Sequence, residues 1–163
     1  TTAMMTLGDA LSVAMLKLSG FTPDDFAGVH PGGSLGRRLL TRVRDLMVTT
    51  ELPVLHCDSP LLPAVDVMTE NRGIILVADD SEQLAGVFVY GDLGRLLKRG
   101  VDLEKVTLGE VMTRSPETCS PEEPVSLAVQ RMEDRGITSI VSVDSSGRPA
   151  GILYLHDALV LGF

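Results

Sequence analysis

Asp79-Asp80-Ser81-Glu82-Gln83-Leu84-Ala85-Gly86-Val87-Phe88-Val89-Tyr90-Gly91-Asp92 and Asp144-Ser145-Ser146-Gly147-Arg148-Pro149-Ala150-Gly151-Ile152-Leu153-Tyr154-Leu155-His156-Asp157 carry the same pattern. The opening Asp, the Ala-Gly pair and the closing Asp fall in register. One copy of such a unit rarely buries its own apolar face, whereas two packed together can. A ligand site in such a protein is sought at the junction of the copies.

Working outward, each stretch sits in the same order of elements. Before the first come Arg44-Asp45-Leu46-Met47, a short extended piece at Val54-Leu55, a helix from Pro60 to Met68 with Leu61, Val65 and Met68 inward, and the apolar strand Ile74–Ala78. Asp79-Asp80-Ser81 reads as a turn, Leu84–Val89 as a second strand, and Asp92 as the cap of a helix through Lys98. The second copy repeats this with Gly109-Glu110-Val111-Met112, Glu117-Thr118-Cys119, a helix from Pro124 to Arg135, strand Ser139–Val143, turn Ser145-Ser146-Gly147, strand Ala150–Leu155 and a helix from Asp157. Val101 to Thr107 links them. Short strands alternating with helices, twice over, predict an α/β (α+β) fold.

The segment before the repeats differs in character. Met5, Leu7, Leu11, Ala14, Met15 and Leu18 recur at helical spacing and Gly20 stops the helix. Thr22-Pro23-Asp24-Asp25 is a helix start, and His30-Pro31-Gly32-Gly33 a tight loop before a helix capped by Ser34. The chain opens inside a helical pattern, at Thr1-Thr2-Ala3-Met4-Met5, and is expected to be part of a longer protein.

The composition narrows the function classes. The net charge of −8 over 163 residues argues against a nucleic-acid backbone as partner, because phosphate binding needs clustered Lys and Arg. The basic run Arg37, Arg38, Arg42 and Arg44 reads as a solvated helix face near a boundary. No apolar run approaches a membrane span, so no membrane partner is expected and a cytoplasmic location is. Cys57 and Cys119 suit a reducing compartment and read as buried or half-buried thiols. With no His or Cys near them at ligand spacing, neither a metal site nor any other cofactor is expected.

The doubled closings Gly86…Asp92 and Gly151…Asp157, with Met47 and Met112 ahead of them, resemble a tandem pair of cystathionine-β-synthase-type (CBS) domains over Val43 to Phe163. The first segment resembles the tail of a sugar isomerase (SIS) domain, through Leu7-Gly8-Asp9-Ala10-Leu11 and His30-Pro31-Gly32-Gly33-Ser34-Leu35-Gly36-Arg37-Arg38-Leu39-Leu40. Joined in this order, they are similar to the arabinose-5-phosphate isomerases of the KpsF/GutQ type. The resemblance implies three parts: a helical SIS stub over 1–42, CBS domain 1 over 43–100 and CBS domain 2 over 108–163, the two β-α-β-β-α repeats packed through their sheets. It implies that the parent protein interconverts ribulose 5-phosphate and arabinose 5-phosphate for synthesis of Kdo, the sugar acid of lipopolysaccharide. His30 is the one residue here matching a proposed catalytic position, and the chain alone is expected to be inactive. A homodimer of the CBS pair, within a tetrameric parent, is implied as well.

The resemblance also implies a nucleotide in the clefts between the copies. Asp92 and Asp157 match the acid that contacts ribose hydroxyls, a role suited to a carboxylate because it accepts two hydroxyl protons at once. Read from the residues alone, a plain helix N-cap accounts for each Asp equally well. The family carries Thr or Ser three residues before that acid, whereas this chain has Val89 and Tyr154. That departure disfavours an adenine nucleotide in the usual pose. Tyr154 with His156 suits a different ligand, Arg95 can reach a phosphate and Thr138 sits where family members touch the base. Pathway logic points to CMP-Kdo, or CMP, as an end-product signal; AMP or ATP sensing and a purely structural module are the alternatives. Gly86 and Gly151 read as positions where another backbone passes close, and Met47, Met68, Met112 and Met132 as core filler.

Overall fold

Residues 2–22, 25 and 40–163 are described in the computed structural model. They fall into two compact units, one up to Thr41 together with Gly162, the other Arg42–Leu161 together with Phe163. In the first, α1 (Thr2–Ser19) is exposed along its whole length and ends at Gly20, whose φ of 65° is the left-handed conformation glycine adopts without strain. Thr22 and Asp25 form the expected helix start: the Asp25 backbone N–H donates to Thr22 Oγ1 at 3.2 Å, and the Thr22 N–H donates to Asp25 Oδ2 at 2.8 Å. His30, Ser34, Arg37 and Arg38 lie outside the described residues.

The second unit contains both repeats. The first comprises β1 (Val54–His56), α2 (Leu61–Glu70), β2 (Ile74–Ala78), β3 (Leu84–Val89) and α3 (Tyr90–Arg99). A short α4 (Leu108–Val111) and β4 (Thr113–Arg114) lead to the second repeat, made of β5 (Thr118–Cys119), α5 (Val125–Arg135), β6 (Ser139–Val143), β7 (Pro149–Tyr154) and α6 (Leu155–Val160). One sheet has the order β1-β2-β3-β4 and the other β5-β6-β7. In each, the first pair of strands is parallel and the second antiparallel, with a register shift at matching places, Val77/Ala78 and Ser142/Val143.

The repeats exchange their leading segments. β4, ahead of repeat 2, pairs with β3 of repeat 1, Thr113 opposite Val87. Val48, ahead of repeat 1, bridges to Ile152 of repeat 2. Leu108 and Met112 accordingly belong to the core of repeat 1 with Leu61, Met68 and Phe88. Val43, in a 3₁₀ turn over Val43–Asp45, belongs to the core of repeat 2 with Val125, Met132 and Leu153. A third cluster, Ile74, Leu76, Val141 and Ile152, fills the space between the sheets. Each fully buried side chain of this size contributes about 1.5–3 kcal/mol. Each repeat completes its core with a segment that the sequence writes in front of the other.

The exchange explains the two glycines. A Cβ at Gly86 would lie 2.7 Å from the Thr113 carbonyl oxygen, and one at Gly151 2.9 Å from that of Val48. At one end the strand-connecting turns meet: the Leu84 N–H donates to the Gly147 carbonyl at 3.0 Å, Gln83 Nε2 to the Ser146 carbonyl at 2.8 Å, and Arg148 pairs with Glu82 at 3.0 Å. The start of α3 faces a cavity elsewhere along the junction, and the start of α6 a smaller cleft beside it.

Candidate functional site

The cavity encloses about 690 Å³ and takes its walls from both repeats. Five of the residues singled out from sequence line it: Val89, Asp92, Arg95, Thr138 and Tyr154. His156 and Asp157 instead line a more open cleft of about 470 Å³ beside it, with Arg72, Thr138, Tyr154 and Leu159. Arg72, Thr138 and Tyr154 belong to both.

The two acids are not helix N-caps. α3 begins at Tyr90 directly from the end of β3, and α6 at Leu155 directly from β7, so Asp92 and Asp157 each occupy the third helical position. The last strand residues, Val89 and Tyr154, hold the N-cap positions and make no side-chain capping bond. Asp92 is buried, its residue only 6 % exposed. Its Oδ2 accepts the Val89 N–H at 3.0 Å, and its Oδ1 accepts the Thr113 hydroxyl at 3.1 Å and the Arg95 guanidinium. A negative charge in the first turn also suits the helix dipole.

Asp157 stands in a different setting. In the register that matches it to Asp92, Arg95 corresponds to Val160 and Thr113 to Val48, neither of which carries a side-chain donor. Its carboxylate instead accepts Arg72 Nη1 at 2.7 Å, a residue of the first repeat. The same guanidinium lies 4.6 Å from the centroid of the Tyr154 ring, within reach of a cation–π interaction. The Asp157 contact raises the Arg72 pKa, and burial raises that of the Tyr154 phenol. Tyr154 and His156, expected as a pair acting on one ligand, both line the smaller cleft, where Tyr154 is stacked under Arg72 and His156 is exposed.

Sequence reasoning missed Arg72, Thr113, Glu117 and Arg135, which also line the main cavity. Arg135 pairs with Glu117 at 2.9 Å. The readable signal for Thr113 was its place directly after Met112, since the exchanged strand carries it to Asp92. The expectation that no His lies near the cysteines is also corrected. His56 precedes Cys57, and ligand atoms of His56, Cys57 and Asp58 lie within 4.8 Å of one another. His56 Nε2 is 2.9 Å from Asp80 Oδ1, a neighbour supplied by the parallel pairing of β1 with β2. These residues are the set, among the described ones, that could hold a cation. Among the described residues no helix is long and apolar enough to cross a membrane.

Comparison with known proteins agrees with this architecture. The family described as "CBS domain" matches residues 108–161. The arabinose 5-phosphate isomerase KdsD of Pseudomonas aeruginosa is 44 % identical over 164 aligned positions, covering 99 % of this chain and 50 % of that protein. The chain therefore spans about half the length of the curated relatives it matches. Among solved structures, the CBS domain pair of protein MJ0100, in complex with 5'-methylthioadenosine and S-adenosyl-L-methionine, superposes with a TM-score of 0.66 at 24 % identity, over 74 % of this chain and 94 % of that one. The CBS domain protein PAE2072 of Pyrobaculum aerophilum, complexed with AMP, gives 0.65 at 21 % identity, over 72 % and 89 %. The second unit has the fold of a CBS domain pair, and the chain is similar over nearly its whole length to about half of the arabinose 5-phosphate isomerase KdsD of Pseudomonas aeruginosa.

Proposed function

We propose that the CBS pair is the regulatory, nucleotide-binding module of an arabinose-5-phosphate isomerase. The observation that carries this reading is the cavity at the junction of the repeats, with the buried Asp92 carboxylate in its wall and Arg95 beside it. A carboxylate offers about four lone-pair sites, and three donors occupy Asp92. Displacing Arg95 would free a second acceptor for a ribose diol. Arg95 reaches Asp92 from within its own helix, so it can turn to a phosphate without giving up a contact between the repeats, and Thr138 would meet the base. The ligand would thus exchange an internal ion pair for two contacts of its own.

Val89 stands where a hydroxyl would meet an adenine nucleotide in its usual pose, and this favours a different nucleotide. CMP-Kdo, the activated end product of the sugar-acid route, fits a module that restrains the isomerase. AMP is the second reading, favoured by the AMP complex of the similar PAE2072. In the longer protein His30 would transfer protons between the sugar carbons or oxygens, and the chain by itself would not isomerise. The CBS pair would assemble as a homodimer, within a tetramer of the longer protein, in the cytoplasm.

A thermal-shift screen against AMP, ATP, CMP, CMP-Kdo and arabinose 5-phosphate tests the reading. A ligand at a hundred times its Kd stabilises by about 2.7 kcal/mol, a readily measured rise in Tm. A rise with CMP-Kdo and CMP, lost in Asp92→Asn, is the expected result. A rise with AMP or ATP alone selects the second reading, and no rise with any compound leaves a structural module.

A further inference from the structure

We infer that this CBS pair takes one ligand per chain, in the cavity beside Asp92, and that Arg72 is the built-in occupant of the corresponding cleft beside Asp157. The inference rests on the proposal that the junction binds a nucleotide, and adds which half of the junction does so.

A nucleoside entering the Asp157 cleft would need two things. One is the carboxylate, for its ribose hydroxyls, and the other is the flat face of Tyr154, for its base. Arg72 takes both, with Nη1 at 2.7 Å from Asp157 and its guanidinium 4.6 Å from the ring centroid. A planar cation stacked on an aromatic ring and bonded to an acid imitates the contacts of a base and sugar together. The Asp92 site has no such plug. Its partner Arg95 comes from one turn along the same helix and leaves the cavity open.

The backbone supports the assignment. Arg72 has a φ of 51°, a left-handed conformation that is unfavourable for any residue with a Cβ. At the corresponding bend after α5 the chain uses Gly136, with a φ of 63°. The first repeat thus holds an arginine where the second is content with glycine. Strain of this kind persists where surrounding contacts over-determine it, and the Asp157 and Tyr154 contacts are those that hold the side chain. The next residue fixes the bend further: a Cβ at Gly73 would lie 2.2 Å from the Tyr90 ring.

The walls differ as well. Thr113, Ser115, Pro116 and Glu117 line the cavity beside Asp92. Their counterparts ahead of repeat 1, from Val48 to Leu52, are absent from the cleft beside Asp157, and Leu52 packs into the cluster between the sheets. The exchanged segment builds a wall on one side only.

Titration calorimetry with AMP, CMP and CMP-Kdo as probes, on the wild-type chain and Arg72→Gly, tests this. Glycine suits the left-handed bend, so the variant keeps the fold, which circular dichroism verifies. The expected result is one site per chain in the wild type and two in Arg72→Gly, the added site disappearing when Asp157→Asn is combined with it. Two sites in the wild type, or one in both proteins, overturns the inference. If the wild type binds no probe and Arg72→Gly binds one at Asp157, the nucleotide reading of the Asp92 cavity fails while the closure by Arg72 stands. If neither protein binds any probe, both fall.

Discussion

The sulfur of Met47 stands 2.6 Å from the point where any side chain at Gly151 would put its Cβ. Met112 stands at the same 2.6 Å from that point on Gly86. Each methionine leads one repeat and packs over a glycine in the other. The Ala-Gly in each copy is therefore a notch that lets the exchanged strand lie flat, and the methionine fills what remains of it.

Replacing either glycine by alanine should destabilise the CBS pair by about 1–3 kcal/mol, the usual cost of forcing extra volume into a packed core. A methionine side chain can yield, but the Val48 and Thr113 carbonyls, 2.9 and 2.7 Å from the added atom, belong to paired backbone. Met47→Ala should therefore fail to rescue Gly151→Ala. Urea unfolding of the single and double variants measures this. A Gly151→Ala protein within 0.5 kcal/mol of wild type would rule the notch out.

The repeat was legible because glycine, aspartate and apolar strands recur in register, and each reflects local geometry. The exchange was not. Met47 and Met112 were visible as leaders, but which sheet they join is a tertiary choice that no local pattern encodes. The helix start was misread at Asp92 and Asp157 because aspartate is favoured both at an N-cap and in the first turn. Only the direct passage from strand into helix separates the two. Arg72 is unmarked in the sequence for a related reason: its partners, Tyr154 and Asp157, lie in the other repeat, and nothing near Asn71-Arg72-Gly73 announces them. His56 beside Cys57 was written in plain view, yet Asp80 joins it only through strand pairing.

Gly94 marks the opposite case from the notch glycines. It lies inside α3, its φ is not positive, and a Cβ there would meet nothing within 4 Å. Gly94→Ala should stabilise the protein by about 0.5–1 kcal/mol, since glycine in a helix interior loses more backbone entropy on folding. Thermal and urea unfolding should move together. A loss of stability would mean that this helix face is covered in solution.

The two acids should separate in stability. Asp92→Ala strands the Val89 N–H and the Thr113 hydroxyl around a buried site and should cost about 1.5–3 kcal/mol. Asp157→Ala removes an ion pair whose side chains are 57 % and 33 % exposed, and should cost about 1 kcal/mol or less. Asp92→Asn, which keeps an acceptor, should fall between them. Equal losses in the two alanine variants, measured in urea, would contradict the contrast drawn between the two sites.

Cys119 and Cys57 should differ in reactivity, and Cys119 should leave a mark on alkaline stability. Cys119 is buried in the core of repeat 2, and burial, with the nearby Glu123 charge, pushes its thiol up to about 11 from an ordinary 9.0. The thiolate is the reactive form. At pH 8 a disulfide reagent should therefore titrate one thiol, the half-buried Cys57, and reach Cys119 only on unfolding. The sign of the pH effect follows from proton linkage. Between about 9 and about 11 the folded chain keeps a proton that the unfolded chain has lost, so rising pH favours unfolding. The thiol's contribution is intact below that range and fades through it. Urea midpoints at pH 8 and pH 10.5 should fall further for the wild type than for Cys119→Ala. Parallel declines, or two thiols reacting at one rate, would show that Cys119 is open to solvent.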